Sequence, residues 1–60
     1  MAQVTINPDG SAYLRKPRGQ EFTLVELNEI ANAAGASRAE AADFNAVDDE
    51  THRTLTAVKK

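Results

Sequence analysis

Ala34-Gly35-Ala36-Ser37-Arg38-Ala39-Glu40-Ala41-Ala42-Asp43-Phe44-Asn45-Ala46-Val47 is the stretch on which the fold turns. Ser37-Arg38-Ala39-Glu40 has the form of a capping box, with a hydroxyl at the cap and a carboxylate three residues on. The alanine-rich segment behind it carries Ala41, Phe44 and Val47 on one side of a helix, so the spacing predicts a helix over 38–47. Gly35 stands where a left-handed residue ends the helix before it.

That preceding helix has the clearest pattern in the chain. Leu27, Ile30, Ala31 and Ala34 recur at one helical face, and Thr23-Leu24-Val25-Glu26 is a second capping box at its start. Phe22, just before the cap, is placed to staple onto the first turn. The predicted helix covers 24–34. Upstream, Val4-Thr5-Ile6 and Ser11-Ala12-Tyr13-Leu14-Arg15 flank Asn7-Pro8-Asp9-Gly10, whose proline presets φ and whose glycine tolerates a positive one. The reading is a hairpin over 3–15 and a loop over 16–22. Downstream, Thr51 to Val58 contains three threonines and other β-formers, which favours a strand over 51–58. A helix with Thr51, Leu55 and Val58 on one face is the competing reading, and the strand is preferred because it could pair with the hairpin.

The expected fold is therefore α+β: one small domain over 1–60, with an N-terminal β-hairpin, two short capped helices and a C-terminal third strand. Its core is thin. Eleven alanines leave only 14 bulky apolar side chains, Met1 included, in a chain with no cysteine. A core of this size is marginal alone, disulfides and cysteine-based zinc sites are excluded, and a partner is the remaining source of stability.

Two families resemble the central segment. Ile30, Ala31, Ala34, Gly35 and Ser37 match the helix-turn-helix opening of the Lac-repressor family, although larger apolar residues usually stand at Ala36 and Ala41. Gly35-Ala36-Ser37-Arg38-Ala39-Glu40 is also similar to the inter-helix turn of ribbon-helix-helix repressors, so that both resemblances rest on residues 24–47. The second resemblance implies a dimer whose basic strand reads the major groove. Tyr13, Arg15, Lys16, Arg18 and Arg38 would then be the DNA-binding residues. This chain departs from that family in its preceding hairpin and in the seven residues between Lys16 and Leu24.

Charge argues for another partner. Residues 1–20 sum to +2, residues 21–50 to −7 and residues 51–60 to +3. Such asymmetry calls for an electrostatic partner or for pairing of the ends with the middle. Glu40, Asp43, Asp48 and Asp49 on an acidic helical face are the expected protein-contact residues, facing a basic protein surface or a homodimer partner. Acidic groups at the start of a DNA-reading helix would be repelled by phosphate, so DNA is the alternative. One histidine and no thiol exclude the usual nucleophilic sets, and the glycines at 10, 19 and 35 form no phosphate loop. Asp48 and His52 have the i, i+4 spacing of helical metal ligands, but an acidic turn is the plainer account, and no metal or other cofactor is expected. No apolar run is long enough to span a membrane, and the opening residues lack a secretory pattern. The expectation is a cytoplasmic, non-enzymatic regulator of inhibitor or antitoxin type, with no small-molecule substrate and no membrane contact.

Overall fold

β4, His52–Lys59, lies inside the sheet and is hydrogen-bonded along both edges, in a computed structural model that describes residues 3–60. Met1, counted above among the bulky apolar residues, and Ala2 lie outside the described residues. The other elements are β1 (Val4–Ile6), β2 (Ala12–Pro17), α1 (Leu24–Ala33), a 3₁₀ turn at Ala39–Ala41 and β3 (Ala42–Asp48). The four strands form one antiparallel sheet in the order β1-β2-β4-β3. The chain is α+β.

Local chemistry explains both hairpins. Pro8 and Asp9 turn the first, and Gly10, at φ +94°, supplies the left-handed residue that lets Asn7 and Ser11 meet. The Asp9 carboxylate accepts from the Ser11 N–H at 2.9 Å and from its hydroxyl at 2.7 Å. The second hairpin turns through Glu50 and Thr51 without a glycine. No non-glycine residue there has a positive φ, so the Asp49 side chain closes the turn instead, accepting from the backbone N–H groups of Thr51 and His52.

α1 forms as its pattern predicts. The Thr23 hydroxyl accepts from the Glu26 N–H, and the Glu26 carboxylate accepts in return from the Thr23 N–H. Its end is a Schellman arrangement: Gly35 donates to the Asn32 carbonyl and Ala36 to that of Ala31, with Gly35 at φ +95°. The helix packs on β1, β2 and β4. Ile30, Ala31, Ala34 and Ala36 meet Ala12, Leu14, Ala42, Leu55 and Ala57 in the core. Among the described residues, only Leu14 and Ile30 are large and completely enclosed.

The second helix expected over 38–47 is corrected. Arg38 takes the cap position of the short 3₁₀ turn with no side-chain cap, and the Ala39 N–H is received by Asn28 Oδ1 at 2.7 Å. Residues 42–48 then run as β3, in unbroken register with residues 53–59. As a helix, this segment would bury little beyond Phe44 and Val47, and Asp43 and Asn45 are poor helix formers. As a strand it supplies the second ladder of β4 and sets Ala42 and Phe44 beside the core, and that tertiary gain overrides the local capping signal.

A core with so few large, completely enclosed side chains makes a sharp prediction. Ile30→Ala should lower the unfolding free energy by about 2–4 kcal/mol, whereas Val25→Ala, at a side chain left 67% exposed, should change it by less than about 0.5 kcal/mol. Urea unfolding of the two variants measures both.

Candidate functional site

Strand alternation sends every second side chain of the sheet away from α1. On that face Thr5, Tyr13, Thr56 and Asn45 stand in one row across the four strands. Arg15, Thr54 and Val47 form the next row, and Val58 faces Asp43 on the other side. Among the described residues no helix or loop covers this face. Val47 and Val58 are 58% and 51% exposed, while Tyr13, Thr54 and Thr56 are half-buried by their neighbours within the sheet.

The sequence-predicted DNA-binding residues do not share a surface. Tyr13 and Arg15 lie on the uncovered face, and Arg15 Nη2 is 3.1 Å from Asp49 Oδ2 and 3.3 Å from His52 Nδ1. Lys16 points to the opposite side. Its ammonium donates to Glu26 Oε1 and to the Glu21 carbonyl, both at 2.9 Å, and lies 5.8 Å from the centre of the Phe22 ring. With side-chain exposures of 18% and 14%, Lys16 and Glu26 form the most enclosed ion pair among the described residues. Arg18 follows β2 and shares a shallow polar hollow with Gly19, Gln20, Glu21, Asp48 and Arg53. Arg38 sits at the 3₁₀ turn beside Glu40 at 3.2 Å, where both are well exposed and the pair contributes little.

The acidic set is dispersed in the same way, because the helix that would have gathered it is absent. Asp43 lies on the uncovered face of β3, whereas Asp48 faces the helix side and accepts from Arg53 Nε at 2.8 Å. Asp49 is in the turn, and Glu40 is on the 3₁₀ element. Three ion pairs, Arg15–Asp49, Lys16–Glu26 and Arg53–Asp48, join the basic ends of the chain to its acidic middle. Internal pairing with the ends takes up three of the eight acidic groups of residues 21–50, and Glu21, Glu29, Asp43 and Glu50 have no ion-pair partner among the described residues.

Hydrogen bonds set the protonation of these carboxylates. Donation from the backbone of Thr51 and His52, with Arg15 nearby, holds Asp49 below its ordinary 3.8. The Arg53 guanidinium lowers Asp48 and is itself raised in return. The Thr23 N–H and then the Lys16 ammonium lower Glu26 from 4.5, and the Ser11 hydroxyl and N–H lower Asp9. No group of three or more metal-ligating side chains gathers among the described residues, and no helix is long and apolar enough to cross a membrane. The residues that sequence reasoning passed over are Thr54, Thr56, Val58, Asn45 and Val47. Alternation along 51–58 marked the first three; the helical reading of 38–47 concealed the other two.

No family model, curated protein or solved structure matches the chain.

Four carboxylates held below their ordinary values give stability that is fully present above those values and is lost as pH falls through the depressed ones. The thermal midpoint should be level between about pH 7 and pH 5 and should fall below about pH 4. Asp49→Asn keeps an acceptor for the turn but removes the charge facing Arg15. Its midpoint should start lower at neutral pH, fall less steeply with acid, and meet that of the natural chain at the acid end of a calorimetric pH series.

Proposed function

We propose that this chain is a small, non-enzymatic regulatory protein of the cytoplasm that acts by protein–protein contact, and that the uncovered sheet face makes the contact. The observation that carries this reading is the exposure of Val47 and Val58 beside Tyr13 and the hydroxyls of Thr5, Thr54 and Thr56, on a face no element covers. Apolar groups, an aromatic ring and hydroxyls with few unmatched charges suit the centre of a protein interface. A duplex surface needs several unpaired cations on one side, and here Arg15 and Lys16 face opposite ways with a carboxylate against each.

The acidic residues enter this reading unequally. Asp43 stands opposite Val58 and has no ion-pair partner among the described residues, so it is the carboxylate available to a basic group on the partner. Asp48 and Asp49 are engaged within the chain, and their charge reversal would disturb the fold as well as any interface. Glu40, three residues before Asp43 on the 3₁₀ turn, is well exposed beside Arg38 and contributes through its surface charge.

A photo-crosslinker set at Thr5, on the same face but at the β1 edge, tests the proposal in extract, with Val58→Lys and Val25→Lys as paired variants. The expected result is a discrete crosslinked species that persists with Val25→Lys, on the exposed helix, and disappears with Val58→Lys. Loss with Val25→Lys and retention with Val58→Lys would move the contact to the helix and overturn the assignment. A labelled-chain titration with random duplex DNA at low salt should shift no resonance of Tyr13 to Arg18; shifts there that weaken steeply with salt would favour the nucleic-acid reading instead.

A further inference from the structure

β3 has an unpaired edge. The Lys60 N–H bonds to the Ala41 carbonyl, and the Asp49 N–H to that of His52. With the continuous register between these points, ladder bonds to β4 come from Asp43, Asn45 and Val47. The backbone groups of Ala42, Phe44, Ala46 and Asp48 therefore point outward, away from the sheet. Edge strands are ordinarily shielded by shortness, lysine, proline, a bulge or a covering element. β1, at the other edge, is three residues long, but β3 runs for seven with no lysine, proline or break in register, and its charges are confined to Asp43 and Asp48 near its two ends.

We propose that two copies of this chain join edge to edge through β3, antiparallel, with Asn45 of each copy meeting Asn45 of the other. The inference stands on β3 alone and goes beyond the contact face argued above. In this register Phe44 meets Ala46 of the second copy, Asp43 meets Val47 and Ala42 meets Asp48. All seven residues of the strand are used, the outward N–H and C=O groups of one copy meet those of the other, and no two carboxylates stand opposite. Every other register shortens the overlap, and two of them also set carboxylates together. Centring on Asp43 sets that carboxylate against its own copy, and centring on Ala46 brings Asp43 against Asp49, while both shorten the overlap. Like charges directly opposite are destabilising in a sheet.

Burial points the same way. α1 packs on β1, β2 and β4, which leaves Ala46 exposed and Phe44 only half-buried on the helix side of β3. In the pair, Phe44 and Ala46 of both copies form one apolar cluster between the two helices, enlarging a core that has only Leu14 and Ile30 as large enclosed groups. A single strand pair is a small interface, which makes this a reversible dimer. The uncovered faces of the two copies become one eight-stranded surface.

Sedimentation equilibrium combined with amide exchange tests this. The natural chain should pass reversibly from monomer to dimer with concentration, and the Phe44 and Ala46 amides should become protected as it does, while those of Asn45 and Val47 are protected throughout. Ala46→Pro deletes an outward N–H that β4 does not use, so it should leave the β3–β4 ladder intact and abolish the dimer. Asn45→Asp sets two carboxylates together on the symmetry axis and should weaken the dimer roughly tenfold at neutral pH, with recovery on acidification. Should Ala46→Pro unfold, Asn45→Asp decides alone. A chain that stays monomeric up to about millimolar concentration, where even weak edge pairing is populated, overturns the proposal. So does a dimer in which Phe44 and Ala46 stay unprotected, or one indifferent to Asn45→Asp.

Discussion

β4 is hydrogen-bonded on both sides, and that constraint decides the state of the segment that precedes it. Its Leu55 and Ala57 lie under the helix, and its other face carries Thr54, Thr56 and Val58. With a helix before it, β4 would be an edge strand whose second row of N–H and C=O groups is left to water, because a helix has no backbone groups to offer. The only segment able to reach that edge through a two-residue turn is 42–48. β3 therefore owes its existence to its neighbour more than to its own composition. The Asp49 carboxylate makes the short turn workable where the chain has no glycine.

The thin core and the charge pattern are two consequences of one economy of size. Alanines at 12, 31, 34, 36, 42 and 57 let the helix and sheet come close, and their small side chains give each buried position little apolar area. What the core lacks is met partly at its border. Glu26 caps its own helix and receives the Lys16 ammonium, which also ties down the Glu21 carbonyl and lies against Phe22. One carboxylate thereby fixes the start of α1, the loop before it and the end of β2. Three carboxylates of the acidic middle, Glu26, Asp48 and Asp49, serve in this way as partners for the basic ends.

Much of this was legible from local signals. Thr23 and Glu26, the face made by Leu27, Ile30, Ala31 and Ala34, and Gly35 placed α1 to within a residue of its end. Asn7-Pro8-Asp9-Gly10 gave the first hairpin, and the threonines of 51–58 gave a strand there. Residues 38–47 were not legible. Ser37 and Glu40 make a capping box in sequence, but capping residues stabilise a helix that already has a face to bury, and this one had little. The site was missed for the same reason. Once Asp43, Asn45 and Val47 are read on a helix they cannot be aligned with Val58, Thr56 and Thr54, and the row that unites them exists only across the sheet.

The uncovered face resolves a conflict that any single-layer covering creates. The described residues place one helix on one side of the four-stranded sheet, and the second side meets two demands at once, exposure and extended backbone. Threonine satisfies both demands, since its branched Cβ suits a strand and its hydroxyl is solvated. That is why Thr5, Thr54 and Thr56 surround Tyr13. The two exposed valines do not follow that logic: Val47 and Val58 could be threonine without loss to the ladder, and at these positions the chain instead keeps apolar surface in water. Such surface contributes free energy only when something covers it. The same reasoning applies to the neighbouring edge, where Ala46 is exposed and Phe44 half-covered. Face and edge share β3, the strand that the helical pattern concealed.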